Sequence, residues 1–213
     1  MKLIRLFKIL HLALFIPLLI SISLRLQSLP SLEGRFFIGT DPYRFFRQAQ
    51  IILQSGKLPK VDDMRWIPPG RDFSKHLNLN SYLIAYLHRL ILLFRPSTSL
   101  HTTASIYPLI CFSIFLILFF LLVEEILGLK SALLSSFLAS ISPFLLPRSM
   151  AGFPDRDSLC LALSTGSLFE IYPLISPQKA SLRPRCRALP DGAGDELGGK
   201  RHFQLCYHHL HDP

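Results

Sequence analysis

Residues 105–122 constrain this chain more than any other feature. They are almost unbroken in Phe, Ile and Leu, and about 20 such residues cross the hydrocarbon core of a bilayer. Lipid offers nothing to bond a backbone N–H or C=O, so a run like this must be a helix that satisfies its own polar groups. Three further apolar runs repeat the pattern, at residues 9–24, 131–146 and 158–175. The expected fold is an all-α polytopic membrane protein with about four transmembrane helices at these positions. Half of the 213 residues are hydrophobic and 17 are Phe, a composition that suits membrane spans better than a soluble domain.

The runs differ in quality. The first follows Lys2, Arg5 and Lys8, as either a signal peptide or a first span would. No small-residue cleavage site follows it, which favours an uncleaved span with a cytoplasmic N-terminus. The third carries Ala132, Ser135, Ser136, Ala139 and Ser140, small side chains that let helices approach closely. The fourth is interrupted by Ser164–Gly166, Glu170 and Pro173.

The formal charge of +9 does not point to nucleic acid. The basic residues are scattered between apolar segments, without a basic stripe or an aromatic platform. Basic flanks of spans set topology and meet lipid headgroups instead. Cys111, Cys160, Cys186 and Cys206 form no C-x-x-C pair, so no disulfide framework is implied.

Between the first two spans lies a long polar interval, residues 25–103. It holds Thr40-Asp41-Pro42-Tyr43, where Asp41 before Pro42 reads as a helix start. Apolar spacing at Phe45, Phe46, Ala49, Ile52 and Leu53 continues that helix. Residues 62–72 read as an irregular loop shaped by Pro68, Pro69 and Gly70. Residues 80–94 are apolar but short and carry His88-Arg89, so they read as an interfacial or buried helix. Glu124 to Lys130 reads as a tight turn between spans.

The chemistry concentrates at residues 148–160, R-S-M-A-G-F-P-D-R-D-S-L-C. Asp155 and Asp157 form a D-x-D pair at the edge of an apolar run. Charges facing lipid are costly, so such residues sit at the boundary or serve a function. Paired carboxylates offer hard oxygen ligands to Mg²⁺ or Mn²⁺. The plain alternative is that they open the next helix, where the helix dipole favours acids. Counting spans from a cytoplasmic N-terminus puts residues 25–103 outside and brings Asp41, Asp155 and Asp157 to that same face. Lys179, Arg183, Arg185 and Arg187 agree with this topology, whereas Arg25 and Arg35 do not.

From residue 176 the composition changes and periodicity is lost. The segment holds four of the eight histidines and two of the four cysteines. Three readings stay open: an unstructured cytoplasmic tail, an out-of-frame product after a truncation, or a metal-binding tail built on Cys206, His208, His209 and His211, without finger spacing.

The succession T-D-P-Y-R-F-F-R-Q-A, then W-I-P-P-G, then two spans, then R-S-M-A-G-F-P-D-R-D-S-L resembles the STT3 family. These are the catalytic subunits of oligosaccharyltransferase, including the single-subunit bacterial and archaeal enzymes. The resemblance runs to about Tyr172 and rests on the order of the motifs between spans. It implies a polytopic helical fold of which this chain covers the first four spans. It also implies transfer of a glycan from a lipid-diphosphate carrier to asparagine in an N-x-S/T sequon. Asp41, Asp155 and Asp157 would then be catalytic and would hold a divalent cation, Mn or Mg. Arg148 would lie near the lipid-linked donor, with the site on the non-cytoplasmic side.

The departures are as informative. No W-W-D-Y-G stretch occurs in the chain, so the pocket which that stretch provides for the sequon hydroxyl is not expected. Some members of the family also carry Glu or another ligand at the position of Asp157. The expectation is therefore an N-terminal fragment, incomplete for catalysis. The rival readings are another membrane glycosyltransferase that uses lipid-linked sugars, and a non-catalytic scaffold or transporter in which the acids merely start helices.

Overall fold

The computed structural model describes residues 12, 14–29, 36–73 and 77–175. Among these the fold is helical, with one small exception. In chain order the elements are α1 (Phe15–Leu26), α2 (Asp41–Ser55), β1 (Val61–Asp62), β2 (Arg71–Asp72), α3 (Leu79–Phe94), α4 (Leu100–Leu127), α5 (Leu129–Ile141), α6 (Leu146–Ser149) and α7 (Asp157–Ile175). Residues 1–11 and the segment 176–213, including its Cys/His cluster, lie outside the described residues.

Two helices, α4 and α7, are long and apolar enough to cross a membrane. The 28 residues of α4 extend about 42 Å at 1.5 Å per residue, well beyond the span expected at 105–122. It starts where the Ser99 hydroxyl accepts the Thr102 N–H, an N-cap of the usual kind. Glu124 and Glu125 belong to its last turn rather than to a loop. The reversal falls on Gly128, whose φ of +83° is a conformation that glycine adopts without strain. The next helix, α5, ends at Ile141, short of the expected 131–146. Residues 142–145, with Pro143, separate it from the single turn of α6.

The interval after α1 is largely helical. The helix expected after Pro42 is α2, and the apolar segment at 80–94 is α3. They pack on each other and on α4 around Phe37, Phe45, Ala49, Ile52, Ile84, Ala85, Ala104, Tyr107 and Cys111. The irregular loop expected at 62–72 is closed by a two-residue antiparallel ribbon, with Val61 opposite Asp72 and Asp62 opposite Arg71. This ribbon is fastened to α2 by a forked ion pair. Arg47 Nε and Nη2 donate to the two Asp62 carboxylate oxygens at 3.1 and 2.9 Å. That bond holds the Asp62 carboxyl below its ordinary pKa, against the opposing effect of burial.

Helix α4 forms the spine of the bundle, packing most extensively on α7 and α5. Phe112, Phe115, Leu116 and Ala162 fill the first of these interfaces, and Phe120, Val123 and Ala132 the second. The small residues expected to permit close approach do so, with Ala132, Ser136 and Ser140 buried. One feature was not anticipated. Arg25, read from the sequence as a topogenic flank, is fully buried. Its Nε donates to Ser149 Oγ at 2.8 Å. Its Nη1 donates to Ser140 O and Ser21 Oγ, both at 2.9 Å. Its guanidinium lies 3.5 Å from the centre of the Phe112 ring. Its charge is enclosed among hydroxyls and carbonyls rather than free at a headgroup surface.

Candidate active site

The site is assembled by a short irregular segment, residues 150–156, lying across three elements distant in sequence. Ala151 N donates to Arg25 O at 3.0 Å, Gly152 N to Ser105 O at 2.9 Å, and Ile38 N to Gly152 O at 2.9 Å. Ser28 Oγ donates to Ala151 O at 2.6 Å. Backbone groups in this setting must find partners, and here the partners fix the segment against α1, α4 and the stretch leading into α2. Gly39 completes the junction. It has φ +87°, and a Cβ there would come within 3.2 Å of the Phe153 ring.

The consequence is convergence. Asp41 at the start of α2, Asp157 at the start of α7 and Asp155 in the segment just before it line a single polar cavity of about 180 Å³ with Arg44, Phe45, Arg148 and Arg156. Asp41 is exposed, whereas Asp155 is only 6% exposed. Helix α2 is preceded by Thr40, which makes no side-chain cap, and Asp41 lies in its first turn. Asp155 Oδ1 accepts the Arg156 N–H at 2.7 Å. Burial raises the Asp155 pKa most, that hydrogen bond opposes it, and the charges of Asp157 and Asp41 raise it further. Arg148 is exposed and donates from Nη1 to Asp157 Oδ2 at 3.4 Å.

Carboxylate oxygen is the donor chemistry of hard divalent cations, and the crowding of negative charge at Asp155 is what such a cation relieves. In chemistry, then, the residues fit a cation. In spacing they share a cavity but not a coordination shell. Among the described residues no three His, Cys, Asp or Glu side chains are drawn together as a ligating group. Two residues of the neighbourhood were missed by sequence reasoning. Arg25 holds the segment from behind, and the only available signal was a lone arginine ending an apolar run beside Ser21. Arg44 lines the cavity, one helical turn beyond Asp41.

Fold and site together define a helical integral membrane protein with an acidic and arginine-rich cavity at the edge of its apolar helices. The chain belongs to the STT3 family: the family model for the N-terminal part of oligosaccharyl transferase STT3 matches residues 34–176. No curated protein matches it in a direct sequence comparison. Solved structures do. The Archaeoglobus fulgidus oligosaccharyltransferase in complex with Zn and sulfate aligns with TM-score 0.65 at 23% identity, over 74% of this chain and 20% of that one. The archaeal oligosaccharyltransferase AglB from Archaeoglobus fulgidus, with an inhibitory peptide and a dolichol-phosphate, aligns with TM-score 0.68 at 21% identity, over 83% and 21%. At these identities the likeness establishes the fold. The chain spans about a fifth of the length of these structures.

Proposed function

We propose that this chain is the N-terminal membrane region of an oligosaccharyltransferase that moves a glycan from a lipid-diphosphate carrier to asparagine in an N-x-S/T sequon. Residues 1–175 form that region, with four membrane helices and residues 25–103 on the non-cytoplasmic side. The observation that carries the reading is the convergence of Asp41 with Asp155 and Asp157 in one cavity beside apolar helices. Asp41, Asp155 and Asp157 hold a divalent cation, Mn or Mg, and Arg148 receives the donor.

The cation, when bound, supplies Lewis-acid stabilisation of the departing diphosphate. The chain's own part is orientation. Asp155, fixed through the 150–156 segment, and Asp41, on the opposite wall, place carboxylate oxygens on two sides of the acceptor and donor. Arg148 adds an exposed positive charge. An apolar groove of about 370 Å³ lined by Phe144, Leu145 and Leu161 meets Arg148 and Asp157, a shape that suits the lipid end of such a donor. Solved structures of one fold relative with Zn and sulfate, and of another with an inhibitory peptide and a dolichol-phosphate, support the cation and substrate classes.

The test is Mn²⁺ binding followed by electron paramagnetic resonance on the purified chain in detergent. Asp155→Asn is expected to weaken binding at least tenfold, and equal affinity in the two proteins would overturn the assignment. Glycosylation of an N-x-T peptide from a lipid-linked oligosaccharide is expected only from a protein that also carries a W-W-D-Y-G stretch. Transfer by the 213 residues alone would show that this requirement is wrong.

A further inference from the structure

Helix α3 has two faces of opposite kind. Asn80, Ser81, Ile84, Ala85 and His88 are buried, on the side that packs on α2 and α4. The other side bears a stripe of Leu79, Tyr86, Leu90, Leu93 and Phe94, each more than half exposed. At 3.6 residues per turn these positions share one side of the helix. A continuous apolar stripe of this kind marks an interaction surface rather than a face made for water. Its level in the molecule narrows what it meets. The backbone turns sharply after α3, with Thr98 N donating to Arg95 O at 3.2 Å, and α4 begins at Leu100. The side chains of His88 and Thr103 approach to 2.9 Å, so the second half of α3 stays beside the first turn of α4. That turn carries His101, Thr102 and Thr103, whereas the largely apolar residues 104–123 extend about 30 Å, the thickness of the hydrocarbon core. The polar turn therefore marks the headgroup layer, and α3 lies at that level. Charge points the same way. Helix α3 contains no Asp or Glu. Exposed Arg89 flanks the stripe with its guanidinium 5.9 Å from the centre of the Tyr86 ring, and exposed Arg95 follows its last residue.

We propose that the outer stripe of α3 rests on the bilayer surface, with its apolar side chains among the outermost acyl carbons and Arg89 and Arg95 on anionic lipid headgroups. The 16 residues of α3 extend about 24 Å, too short to cross the core, so the helix lies along the surface. Burying Leu and Phe at the acyl boundary removes apolar area from water. Tyr suits that boundary because its ring is apolar and its hydroxyl reaches water. The arginine stems lie along apolar surface while their heads meet headgroup phosphates, and an anionic leaflet attracts them further. The opposite face of α3 packs on α2, which carries Asp41, so the seat of α3 also sets the level of Asp41 above the bilayer. This surface depends on the membrane character of the chain and not on the transfer chemistry proposed above.

The experiment reads tryptophan fluorescence of the full chain in nanodiscs of phosphatidylcholine and phosphatidylglycerol. Trp66, the single tryptophan, is replaced by Phe, and one reporter is introduced at a time: Tyr86→Trp, Leu93→Trp or, in the middle of α4, Ile117→Trp. The quenchers are lipids brominated either near the headgroup or near the chain end, and dissolved acrylamide. Bromines near the headgroup are expected to quench Tyr86→Trp and Leu93→Trp about twofold more than bromines near the chain end, with the reverse order for Ile117→Trp. If either α3 reporter follows the pattern of Ile117→Trp, the helix is inserted rather than resting on the surface, and the proposal fails. Quenching of the α3 reporters by acrylamide but by no brominated lipid means that the stripe faces water, and quenching by neither means that protein covers it. Each of these results also overturns the proposal. A second arm places the shallow bromines on one lipid at a time. Phosphatidylglycerol is expected to quench Leu93→Trp about twofold more than phosphatidylcholine, and Arg89→Gln with Arg95→Gln is expected to erase the difference. Equal quenching by the two lipids with both arginines present overturns the assignment to anionic headgroups.

Discussion

The two walls of the cavity carry similar charges and are built by opposite means. The α2 wall stands at an accessible surface. Its ribbon is held by an ion pair whose Arg47 side chain is 36% exposed, and Asp41 faces outward. The 150–156 wall lies against apolar helices. It is held by backbone hydrogen bonds and by Arg25, which bonds hydroxyls and carbonyls rather than a carboxylate. An ion pair exposed at one partner contributes modestly because water competes for the arginine. A buried guanidinium with several acceptors cannot be released without leaving groups unsatisfied. The walls should therefore respond very differently to single substitutions.

The comparison is sharpest at Arg25. Arg25→Ala removes four hydrogen bonds and opens a cavity beside Phe112, and it is expected to cost about 3 kcal/mol or more. Hydrogen exchange should show loss of protection at residues 150–156 well before α2 or α3 responds. Uniform loss across the chain would mean that Arg25 supports the whole bundle rather than one wall.

Asp62→Asn tests the other wall and is expected to cost about 1–2 kcal/mol, since it breaks a charge-assisted fork. The pH dependence follows from the sign of the shift. The folded-state pKa of Asp62 is depressed, so its contribution is fully present above the ordinary carboxylate pKa near ~4. It is lost as pH falls through the depressed value. The difference in thermal midpoint between the native chain and Asp62→Asn should thus be constant from about pH 5 to 8 and shrink below ~4. A difference that grew on acidification would contradict the ion-pair account.

The walls also differ in how they present their acids to a cation. Asp155→Asn is expected to weaken Mn²⁺ binding at least tenfold, about 1.4 kcal/mol, and Asp41→Asn by less. Asp155 is enclosed beside the segment that fixes it, whereas Asp41 is screened by solvent. Equal losses, read by titration with Mn²⁺, would remove the distinction. The smallest effect belongs to the seam between the walls. Gly39→Ala places a Cβ at positive φ and against Phe153, at a cost of about 1 kcal/mol, visible as a lowered thermal midpoint.

The apolar runs at 105–122 and 158–175 were legible because hydrophobicity is a local property, and both became long apolar helices, α4 and α7. The helix after Pro42 was legible for a similar reason, since its start signal and its apolar spacing lie within a few residues of each other. The order of the acidic motifs between apolar runs sufficed to suggest the family. Tertiary structure alone decided the rest. Nothing near residue 25 announces that its side chain will bond Ser149, 124 positions away, because that contact depends on how α1, α5 and α6 pack. The single cavity shared by Asp41 and Asp155 depends likewise on the Ile38–Gly152 and Gly152–Ser105 bonds, which join three separate parts of the chain. Local composition sets which segments become helices, whereas charges meet only where non-local hydrogen bonds and packing bring them.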